Sequence, residues 1–472
     1  MTADTRQPIV HDKVAALAAL RAAFGDRVTD NATIREQHGN TLSEVANQPP
    51  DLVVFPKSTE EVAEIVRCCR SAGAPIIPFG TGTSFEGHVN APLGGVSIDL
   101  SRLKSIVAVH EEDLQCVVEA GVTREELNRF VRDLGLFFPI DPGADASLGG
   151  MAATRASGTN AVRYGTMKDN VLAMTVVLPD GRIARIGGRA RKSAAGYDLV
   201  RLMIGSEGTL GIITELTLRL YGLPEEMAAG ICAFPSVKAA CDTVISTIQL
   251  GIPIARIELL DEVQVRACNA YAALELPEQP ILCVEFHGSP VGVRDQIERF
   301  AEIAGDCGGS DMQWAVEPER RSALWRARHN AYWAARGLRP GAKGISTDIC
   351  VPISHLAACV AETKADAAAS GLIAPIVGHV GDGNFHCLPL VDMDDPTEVA
   401  IGRAFVDRLV RRALAYGGTS TGEHGIGQSN MKYLELEFDE PALDMMRAVK
   451  QALDPDNLMN PGKIVRMPAS AL

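Results

Sequence analysis

The chain has 472 residues, of which 46% are hydrophobic and 22% charged, and its formal net charge is −14. This length allows two or three domains with sizeable cores, and the composition excludes a disordered or fibrous protein. The negative charge argues against nucleic acid or an anionic membrane as the partner of the whole protein, although a local basic pocket for a small anion is compatible with it.

Cysteine usage and the first residues bear on the location of the protein. The 11 cysteines are scattered and include no C-x-x-C pair, which is typical of reduced thiols in a cytoplasm-like compartment. The N-terminal sequence lacks the basic and apolar segments of a signal peptide, and no run approaches the roughly 20 apolar residues of a membrane span. We therefore expect a cytoplasmic protein without a transmembrane segment, attached to a membrane only peripherally if at all.

Strand and helix signals alternate after a lead-in segment that ends at residue 50. An amphipathic helix is predicted over residues 12–24, and a polar lead-in extends to residue 50. Next come a strand at residues 52–55, a helix over 58–72 that a capping box opens, and a buried strand at 74–79. The pattern is that of a strand–helix–strand unit at the start of a first domain.

The loop at residues 80–87, GTGTSFEG, follows this unit directly. Its glycines and hydroxyl residues expose backbone N–H groups suited to a phosphate, although such a loop is more often an ordinary turn. Phe85 stands where a Rossmann loop needs glycine, and no G-x-x-x-x-G-K-[ST] motif occurs in the chain. Neither NAD nor ATP is therefore the first expectation.

Short strands and small residues fill the rest of the first domain. Strands are predicted at residues 96–100, 105–110, 114–121 and 215–221, with a hairpin over 171–186 and a helix from the capping box at Thr123 to Gly135. The stretch 141–165 is dense in small residues and cannot build a core, so it favours close backbone contact with a flat ligand. The domain is predicted to end near residue 222.

Residues 223–440 show a different pattern, without runs of small residues, which predicts a separate α+β cap domain. Its strand candidates are residues 255–260 and 281–287. Residues 322–336 predict one helix rich in arginine, and such a helix usually presents a solvated face. A final helix and tail, residues 441–472, would return to the first domain.

Residues 378–386, GHVGDGNFH, predict a hairpin that brings two histidines together. With the central Asp-Gly pair as a two-residue turn, His379 would oppose His386, and both imidazoles could reach one metal ion. Glu423 is the best candidate for a third ligand, since two histidines and a carboxylate with an open position form a catalytic pattern for zinc, manganese or iron. The alternative is a glycine-rich turn beside two ordinary histidines.

Several ordered motifs resemble the vanillyl-alcohol-oxidase type of flavoprotein over about residues 50–465. These motifs are residues 80–87, 149–150, 156–158, 163–165 and 205–211. The run 379–386, with Glu423, His424 and residues 460–463, resembles the D-2-hydroxy-acid branch of that family, and residues 326–330 and 350–352 resemble its flavin-dependent D-lactate dehydrogenases. The resemblance implies an α+β fold, with a two-part FAD-binding domain at residues 51–222 and a cap domain that carries the metal site.

The resemblance also implies which residues hold FAD. The first loop would cradle the pyrophosphate, further residues would line the flavin and the adenine half, and Asn460 would close the site from the C-terminal side. These residues are Gly80, Thr81, Gly82, Thr83 and Ser84, then Pro142, Gly149, Gly150, Ser157 and Gly158, and then Glu207, Gly211 and Ile212. Relatives with covalent flavin commonly carry histidine at the position of Thr83, so we expect non-covalent FAD.

Roles in the oxidation of a 2-hydroxy acid follow from the same resemblance. A divalent metal, zinc or manganese, held by His379, His386 and Glu423 would stabilise the alkoxide of the substrate, and His424 would take the hydroxyl proton. A hydride would pass to flavin N5, while Arg328 would hold the substrate carboxylate. The alternative is that His424 ligates the metal and Glu423 only orients a histidine.

The substrate is expected to be short. Leu388 stands where relatives that oxidise D-2-hydroxyglutarate have a polar residue, so D-lactate or D-2-hydroxybutyrate fits better. Open alternatives are a D-2-hydroxyglutarate dehydrogenase, the flavin subunit of a glycolate oxidase, a non-catalytic flavin-binding subunit of a complex, and a flavin-free iron site that activates dioxygen. The electron acceptor, whether cytochrome, quinone or electron-transfer protein, stays open, as does a homodimeric state.

Overall fold

The computed structural model describes residues 13–40 and 44–468. The described chain folds around three larger β-sheets with separate hydrophobic cores. The helix predicted over residues 12–24 is present as Lys13–Phe24, and residue 12 lies outside the described residues. The first residues, on which the prediction about a signal peptide rests, lie outside them as well.

The first sheet has four strands, in the order Val28–Thr29, Leu52–Val54, Val96–Asp99 and Ile76–Phe79. The last three strands are parallel, and the helix Thr59–Ser71 crosses between two of them. The hydroxyl of Ser58 accepts the backbone N–H of Glu61, and this cap explains why the helix begins there. The predicted strand–helix–strand unit is confirmed.

The second sheet has five antiparallel strands, in the order Ile106–His110, Gln115–Glu119, Ile212–Arg219, Val171–Val177 and Ile183–Gly187. The helices Arg124–Val131 and Leu148–Thr154 pack against it. The predicted capping box is complete, because Thr123 and Glu126 each accept the backbone N–H of the other with their side chains. The predicted hairpin is also confirmed, with the last two strands paired side by side.

The third sheet is antiparallel and has seven strands, in the order Gln313–Ala315, Glu226–Ala233, Ile281–Gly288, Ile254–Leu260, Ile376–Gly378, Asn384–Cys387 and Ile349–Cys350. Side chains that alternate along its strands build one core on each face. One face carries the helices Val237–Gln249, Pro290–Asp306, Leu356–Ala369 and Pro396–Ala415, and the other carries Glu262–Ala272, Pro318–His329 and Ala331–Gly337.

Shorter elements connect these layers. They are the helices Ala32–His38, Ala161–Tyr164, Met167–Asn170, Leu199–Met203 and Met431–Glu437, the strand pairs Leu136–Phe137 with Tyr221–Gly222 and Lys343–Gly344 with Leu390–Val391, and 3₁₀ turns at Gly25–Arg27, Leu100–Arg102, Arg132–Leu134, Ile353–His355 and Val380–Asp382. None of the helices in the described ranges has the length and apolar character needed to cross a membrane. The domain boundaries near residues 50, 222 and 440 stay predictions.

The C-terminal segment returns to the first sheet. After the helix Glu440–Leu453, the backbone N–H of Ile76 donates to the carbonyl oxygen of Leu458, and that of Asn460 donates to Ile76. Met459 between them is fully buried in the core of the first sheet. The tail therefore lies against the first sheet.

The predicted two-residue turn between the histidines is wrong, because His386 pairs with Val377 and not with His379. The intervening residues form a 3₁₀ turn, which Gly383 closes at φ +80. A Cβ at Gly383 would collide with the carbonyl oxygen of Val351, so a contact with a distant strand requires glycine here. The loop is longer than predicted as a result.

The single helix predicted over residues 322–336 is also wrong. The helices Pro318–His329 and Ala331–Gly337 meet at Asn330, which has φ −93 and ψ 4. Asparagine is a weak residue inside helices, because its side chain competes for backbone hydrogen bonds. The arginines of this stretch are therefore divided between two short helices.

Candidate active site

A cavity of about 440 Å³ joins the first domain to the cap. The first domain contributes residues 80–85 and parts of the stretch 207–213, and the cap contributes Arg328, Glu423 and His424. Residues that lie far apart in the chain therefore meet around one space. Such a cavity, with a few charged groups at one end, is the usual form of a small-molecule site.

Most of the residues predicted to bind FAD line this cavity. They are Gly80, Thr81, Gly82, Thr83, Ser84, Pro142, Gly149, Gly150, Ser157, Glu207, Gly211, Ile212 and Asn460. Gly158 is the exception among the described residues, because it packs against backbone: its φ is +148, and a Cβ there would lie 2.5 Å from the carbonyl oxygen of Asp141.

The lining fits a large polar ligand such as FAD. Ser147 Oγ, Nδ1 of His88 and Asn460 Oδ1 are buried, and none has a hydrogen-bond partner in the described part of the chain. The other ring nitrogen of His88, Nε2, lies 3.4 Å from Glu207 Oε1. Buried polar atoms are normally paired, so these atoms match a ligand that can hydrogen-bond to them. Gly80 keeps this wall open, because a Cβ there would collide with Ser147 Oγ.

Glu207 lines the cavity, and its carboxylate contacts the cap. Its two carboxylate oxygens accept the backbone N–H groups of Ile426 and Gly427, each at 2.8 Å. These bonds fasten the loop that carries Glu423 and His424 to the first domain. The predicted place of Glu207 near the adenine stays a prediction.

The three predicted metal ligands lie together. Glu423 Oε1 is 3.1 Å from His379 Nε2 and 3.4 Å from His386 Nε2, and the centroids of the two imidazoles are 5.5 Å apart. Ligand atoms that bind a tetrahedral ion at about 2.1 Å stand about 3.4 Å from one another. The two distances to Glu423 Oε1 are therefore close to the spacing that a small divalent ion requires, whereas the group of described donor atoms that lie within 4.8 Å of one another contains His386 and Glu423 but not His379.

Both imidazoles are oriented by hydrogen bonds at their other nitrogen. His379 Nδ1 donates to Glu258 Oε1 at 2.8 Å, and His386 Nδ1 donates to the carbonyl oxygen of Thr347 at 3.0 Å. These partners direct each Nε2 toward Glu423, as the outer partners of metal-bound histidines direct Nε2 toward the ion. The arrangement of these hydrogen bonds is compatible with a metal site.

Asp348 is a buried carboxylate next to the same ligands. Its Oδ2 accepts the backbone N–H groups of Glu423 and His424, both at 2.7 Å. One donor atom from each of Asp348, His386, Glu423 and His424 also lies within 4.8 Å of the others. The alternative in which His424 ligates the metal is therefore compatible with the geometry.

Buried charges shift the pKa values of these groups. Burial disfavours the charged forms of His379 and Glu423, but attraction to opposite charges outweighs it, so the pKa of His379 is raised well above and the pKa of Glu423 lowered well below its usual range. Burial also opposes the charge on His424, yet neighbouring carboxylates, Asp348 foremost, raise its pKa to about 9. The site therefore favours a positive charge, on a proton or on a divalent cation.

Arg328 lines the cavity beside this cluster. Its Nε donates to Glu258 Oε2 at 2.7 Å, so Glu258 is shared by Arg328 and His379. Burial opposes the charge, but Glu258 outweighs burial and raises the pKa of Arg328. The bond at Nε fixes the guanidinium and leaves its two terminal nitrogens for a carboxylate. Of the other two arginines in this stretch, Arg326 is exposed and Arg336 lies over two aromatic rings.

The ring of His424 stacks against two other rings. Its centroid is 4.7 Å from that of Phe85, at 29°, and 5.1 Å from that of His386, at 11°. His424 and Arg328 both line the cavity. The predicted base and the predicted carboxylate-binding residue therefore face the same space.

Glu258, Thr347 and Asp348 were not predicted from the sequence. Glu258 occupies a buried position in a strand whose other residues, apart from Arg256, are apolar, and an acid at such a position indicates a paired or functional charge. Asp348 carries no comparable signal, because an aspartate before a short strand is most often a turn residue. Thr347 acts through its carbonyl oxygen, which no side-chain pattern marks.

The position of Leu388 does not support the prediction of a short substrate. It is absent from the described residues that line the cavity, and its side chain packs against Gly344, where a Cβ would lie 2.5 Å from Leu388 Cδ1. The side chain is held by packing within the cap. The expectation of a short substrate therefore needs other support.

Comparison with known proteins gives matches over nearly the whole chain. Residues 50–187 match the FAD binding domain family, and residues 223–464 match the family of FAD linked oxidases, C-terminal domain. The chain is 52% identical to a probable mitochondrial D-lactate dehydrogenase of Danio rerio, over 96% of this chain and 92% of the relative. It is 46% identical to the mitochondrial D-lactate dehydrogenase (cytochrome) of Arabidopsis thaliana, over 95% of this chain and 80% of the relative.

More distant proteins share the same architecture. The chain is 34% identical to the glycolate oxidase subunit GlcD of Bacillus subtilis, over 88% of this chain and 89% of the relative. The structure of p-cresol methylhydroxylase matches with a TM-score of 0.79 at 18% identity, over 97% of this chain and 98% of that one. That of 4-ethylphenol oxidase from Gulosibacter chungangensis matches with a TM-score of 0.77 at 20% identity, over 99% of both. These two structures confirm the predicted fold.

The expected cytoplasmic location is wrong by these comparisons. The relatives from Danio rerio, Arabidopsis thaliana and Saccharomyces cerevisiae are all named as mitochondrial proteins. The cysteines of the chain are free, as expected of a reducing compartment. Free thiols do not distinguish a cytoplasm from the interior of an organelle. The cysteines were therefore not a sufficient basis for predicting a cytoplasmic location.

Proposed function

The chain belongs to the FAD-linked oxidases, and on that premise we propose that it oxidises D-lactate to pyruvate with FAD and a divalent metal. One observation carries the proposal: Glu423, His424 and Arg328 line the same cavity as the residues predicted to hold FAD. The relatives at 52% and 46% identity, which are named D-lactate dehydrogenases, support D-lactate as the substrate.

The reaction removes a proton from the hydroxyl of the substrate and a hydride from the adjacent carbon. Arg328 binds the carboxylate of D-lactate with its terminal nitrogens, while Glu258 holds the guanidinium in place. This grip orients the carbon that bears the hydroxyl, so that one face of the substrate is presented. His424 takes the hydroxyl proton, and the two electrons leave with the hydrogen of that carbon.

FAD, when bound, supplies the acceptor for that hydride. Its attachment is non-covalent, because threonine stands at position 83 of the lining, where relatives with covalent flavin commonly carry histidine.

Zinc or manganese held by His379, His386 and Glu423 supplies, when bound, a Lewis acid that lowers the pKa of the substrate hydroxyl. His424 is then a neutral base near pH 7, because the carboxylates that favour its proton are balanced by the cation.

Glycolate is the second candidate substrate. The relative from Bacillus subtilis is named a glycolate oxidase subunit and shares 34% of its residues with this chain. Glycolate has the same hydroxyl and carboxylate as lactate and lacks only the methyl group, so it fits any site that takes lactate. The name of the Arabidopsis thaliana relative supports a cytochrome as the acceptor of electrons from the flavin.

A substrate panel tests the proposal. The purified protein with FAD is given an artificial electron acceptor and D-lactate, L-lactate, glycolate or D-2-hydroxyglutarate, and reduction of the acceptor is followed. We expect the highest kcat/KM for D-lactate. Chelation should abolish turnover until zinc or manganese is restored. A purified protein without flavin absorbance, or a flavin that D-lactate leaves oxidised, would contradict the proposal.

A further inference from the structure

Glu86 is a buried carboxylate in the loop at residues 80–87, and the phosphate-cradling role predicted for that loop does not use it. Only 6% of the residue is exposed, and it does not belong to the described lining of the cavity. The backbone around it touches the cap closely: Gln428 donates its N–H to the carbonyl oxygen of Glu86 at 2.7 Å. A Cβ at Gly427 would collide with the same oxygen, so glycine permits this approach.

The two oxygens of the Glu86 carboxylate have different neighbours. Oε2 accepts a hydrogen bond from the hydroxyl of Ser429. Oε1 lies 3.8 Å from Nδ1 of His424. That nitrogen is buried and has no hydrogen-bond partner in the described part of the chain, so an acceptor stands close to an unpaired ring nitrogen.

This placement decides which nitrogen of His424 faces the substrate. The ring lines the cavity, and its Nδ1 is buried on the side of Glu86, which leaves Nε2 toward the cavity. Phe85, the residue before Glu86, stacks on the same ring at 4.7 Å. Two consecutive residues of the loop therefore contact the proposed base, one at its face and one at its edge.

We propose that Glu86 is the positioning residue of His424: its carboxylate accepts a hydrogen bond from Nδ1–H and so keeps the lone pair of Nε2 directed at the substrate hydroxyl. This inference rests on the proposed function, in which His424 is the base. A histidine acts as a base only through the nitrogen that carries no proton, and a partner at the other nitrogen selects that tautomer. Hydrogen bonds of this kind are often long before substrate binds and shorten in the complex.

The alternative is that Glu86 has only a structural role. In that case its function is the hydrogen bond from Ser429, which joins the two domains. The substitution Glu86→Gln keeps the size of the side chain and a partner for the Ser429 hydroxyl, but removes the negative charge beside Nδ1. The substitution Ser429→Ala removes the interdomain bond and leaves the carboxylate beside His424. The two variants therefore separate orientation of the base from fastening of the loop.

The test is the rate at which D-lactate reduces the bound flavin without oxygen, measured by stopped flow over a range of substrate concentrations. We expect Glu86→Gln to lower the limiting rate about 100-fold. The concentration of D-lactate at half-maximal rate should change little, because Arg328 still binds the carboxylate. Ser429→Ala should keep the limiting rate of the wild type.

Each outcome decides between the two proposals. A Glu86→Gln protein that reduces its flavin as fast as the wild type, or a Ser429→Ala protein that is equally impaired, would overturn the positioning role and leave the proposed function intact. A wild-type flavin that no acid of the substrate panel reduces would overturn the proposed function and this inference with it.

A second measurement does not depend on turnover. Nuclear magnetic resonance of protein labelled only in histidine reports which ring nitrogen carries the proton, and the His424→Asn protein identifies the signal. We expect His424 to carry its proton on Nδ1 when FAD and metal are bound, and this preference to weaken in Glu86→Gln. An unchanged tautomer in Glu86→Gln would overturn the inference.

Discussion

Two buried clusters of charge share one strand of the cap, and only one of them opens onto the cavity. Glu258 holds His379 and Arg328, at 2.8 and 2.7 Å; Arg328 belongs to the described lining of the cavity, and so does Glu423, which contacts Nε2 of His379. Arg256, two residues earlier on the same face of the strand, lies 3.7 Å from Glu285 on the neighbouring strand.

The cluster around Glu285 is closed. His287 Nε2 and Trp325 Nε1 each donate to the Glu285 carboxylate at 2.8 Å. With its Nε2 proton engaged, His287 accepts at Nδ1 from the hydroxyl of Tyr164 at 2.8 Å. Arg256 also donates to Asn160 of the first domain at 2.9 Å. The network therefore joins the two domains and satisfies its own polar atoms.

The difference shows what marks an active site. Burial raises the pKa of Glu285, yet Arg256 and His287 outweigh it and lower that pKa to about 2. Even so, none of these three residues belongs to the described lining of the cavity. A shifted pKa is therefore shared by a structural and a candidate catalytic cluster, and the distinguishing feature is donor atoms left facing a space that a ligand can enter.

The largest expected effect is at the cluster that opens onto the cavity. We expect Glu423→Gln to lower turnover of D-lactate by at least about 100-fold while the protein keeps its flavin, because the amide is a poor ligand for a divalent ion. Dye-linked turnover per bound flavin measures the effect. The matched control is Glu285→Gln, the same substitution in the closed cluster, which should keep its turnover. Wild-type turnover in flavin-loaded Glu423→Gln would remove the metal role.

The second-largest expected effect concerns Glu258, which contacts both His379 and Arg328. We expect Glu258→Gln to lower turnover by about 10- to 100-fold and to weaken metal retention, because it withdraws the carboxylate that orients His379 and Arg328. Metal analysis after dialysis, beside dye-linked turnover, measures both. If Glu258→Gln retains metal and turnover like the wild type, the Glu258 carboxylate serves folding alone. Glu258 and Glu285 would then have the same structural role.

In the closed cluster, substitution should affect stability. Glu285→Gln leaves Arg256 buried with less opposite charge around it, so we expect the free energy of unfolding to fall by about 3 kcal/mol. Urea unfolding followed by fluorescence measures this loss, and turnover below the transition should match the wild type. A Glu285→Gln protein that is as stable as the wild type but inactive would show that this cluster, too, serves the reaction.

The smallest expected effect is a pH dependence of the stability difference between the wild type and Glu285→Gln. Glu285 has a pKa of about 2 in the folded chain against 4.5 ordinarily, so its carboxylate stabilises the fold fully above pH 4.5. This contribution is lost as the pH falls from 4.5 toward 2, because the unfolded chain then binds the proton first. The difference in unfolding free energy between wild type and Glu285→Gln should be roughly half as large at pH 3 as at pH 7. A difference that does not change with pH would contradict it.

Local signals in the sequence predicted local structure well. The capping box at Thr123 and the cap at Ser58 place their helices correctly, because the bonds involved lie within one turn. The turn before His386 and the helix break at Asn330 were predicted wrongly. The turn depends on a contact between Gly383 and a strand about thirty residues away, which a local pattern cannot contain.

In the candidate site, too, local patterns were predictable and contacts between distant segments were not. His379, His386 and Glu423 were predictable as a group, because histidines close in sequence and an acid in a glycine-rich loop form a recognisable ligand set. Glu258 and Asp348 come from other segments, and only the folded sheet brings them to the histidines. The partners that orient ligands are therefore harder to find in a sequence than the ligands themselves.

The position of Asn460 has a consequence for synthesis of the protein. Its side chain donates to the carbonyl oxygens of His88 and Glu207, at 3.0 and 2.7 Å, and it lines the cavity. The wall that surrounds the cofactor residues is therefore incomplete on a ribosome until residue 460 has emerged. A nascent chain released earlier lacks this wall, so capture of the cofactor requires that translation has passed residue 460.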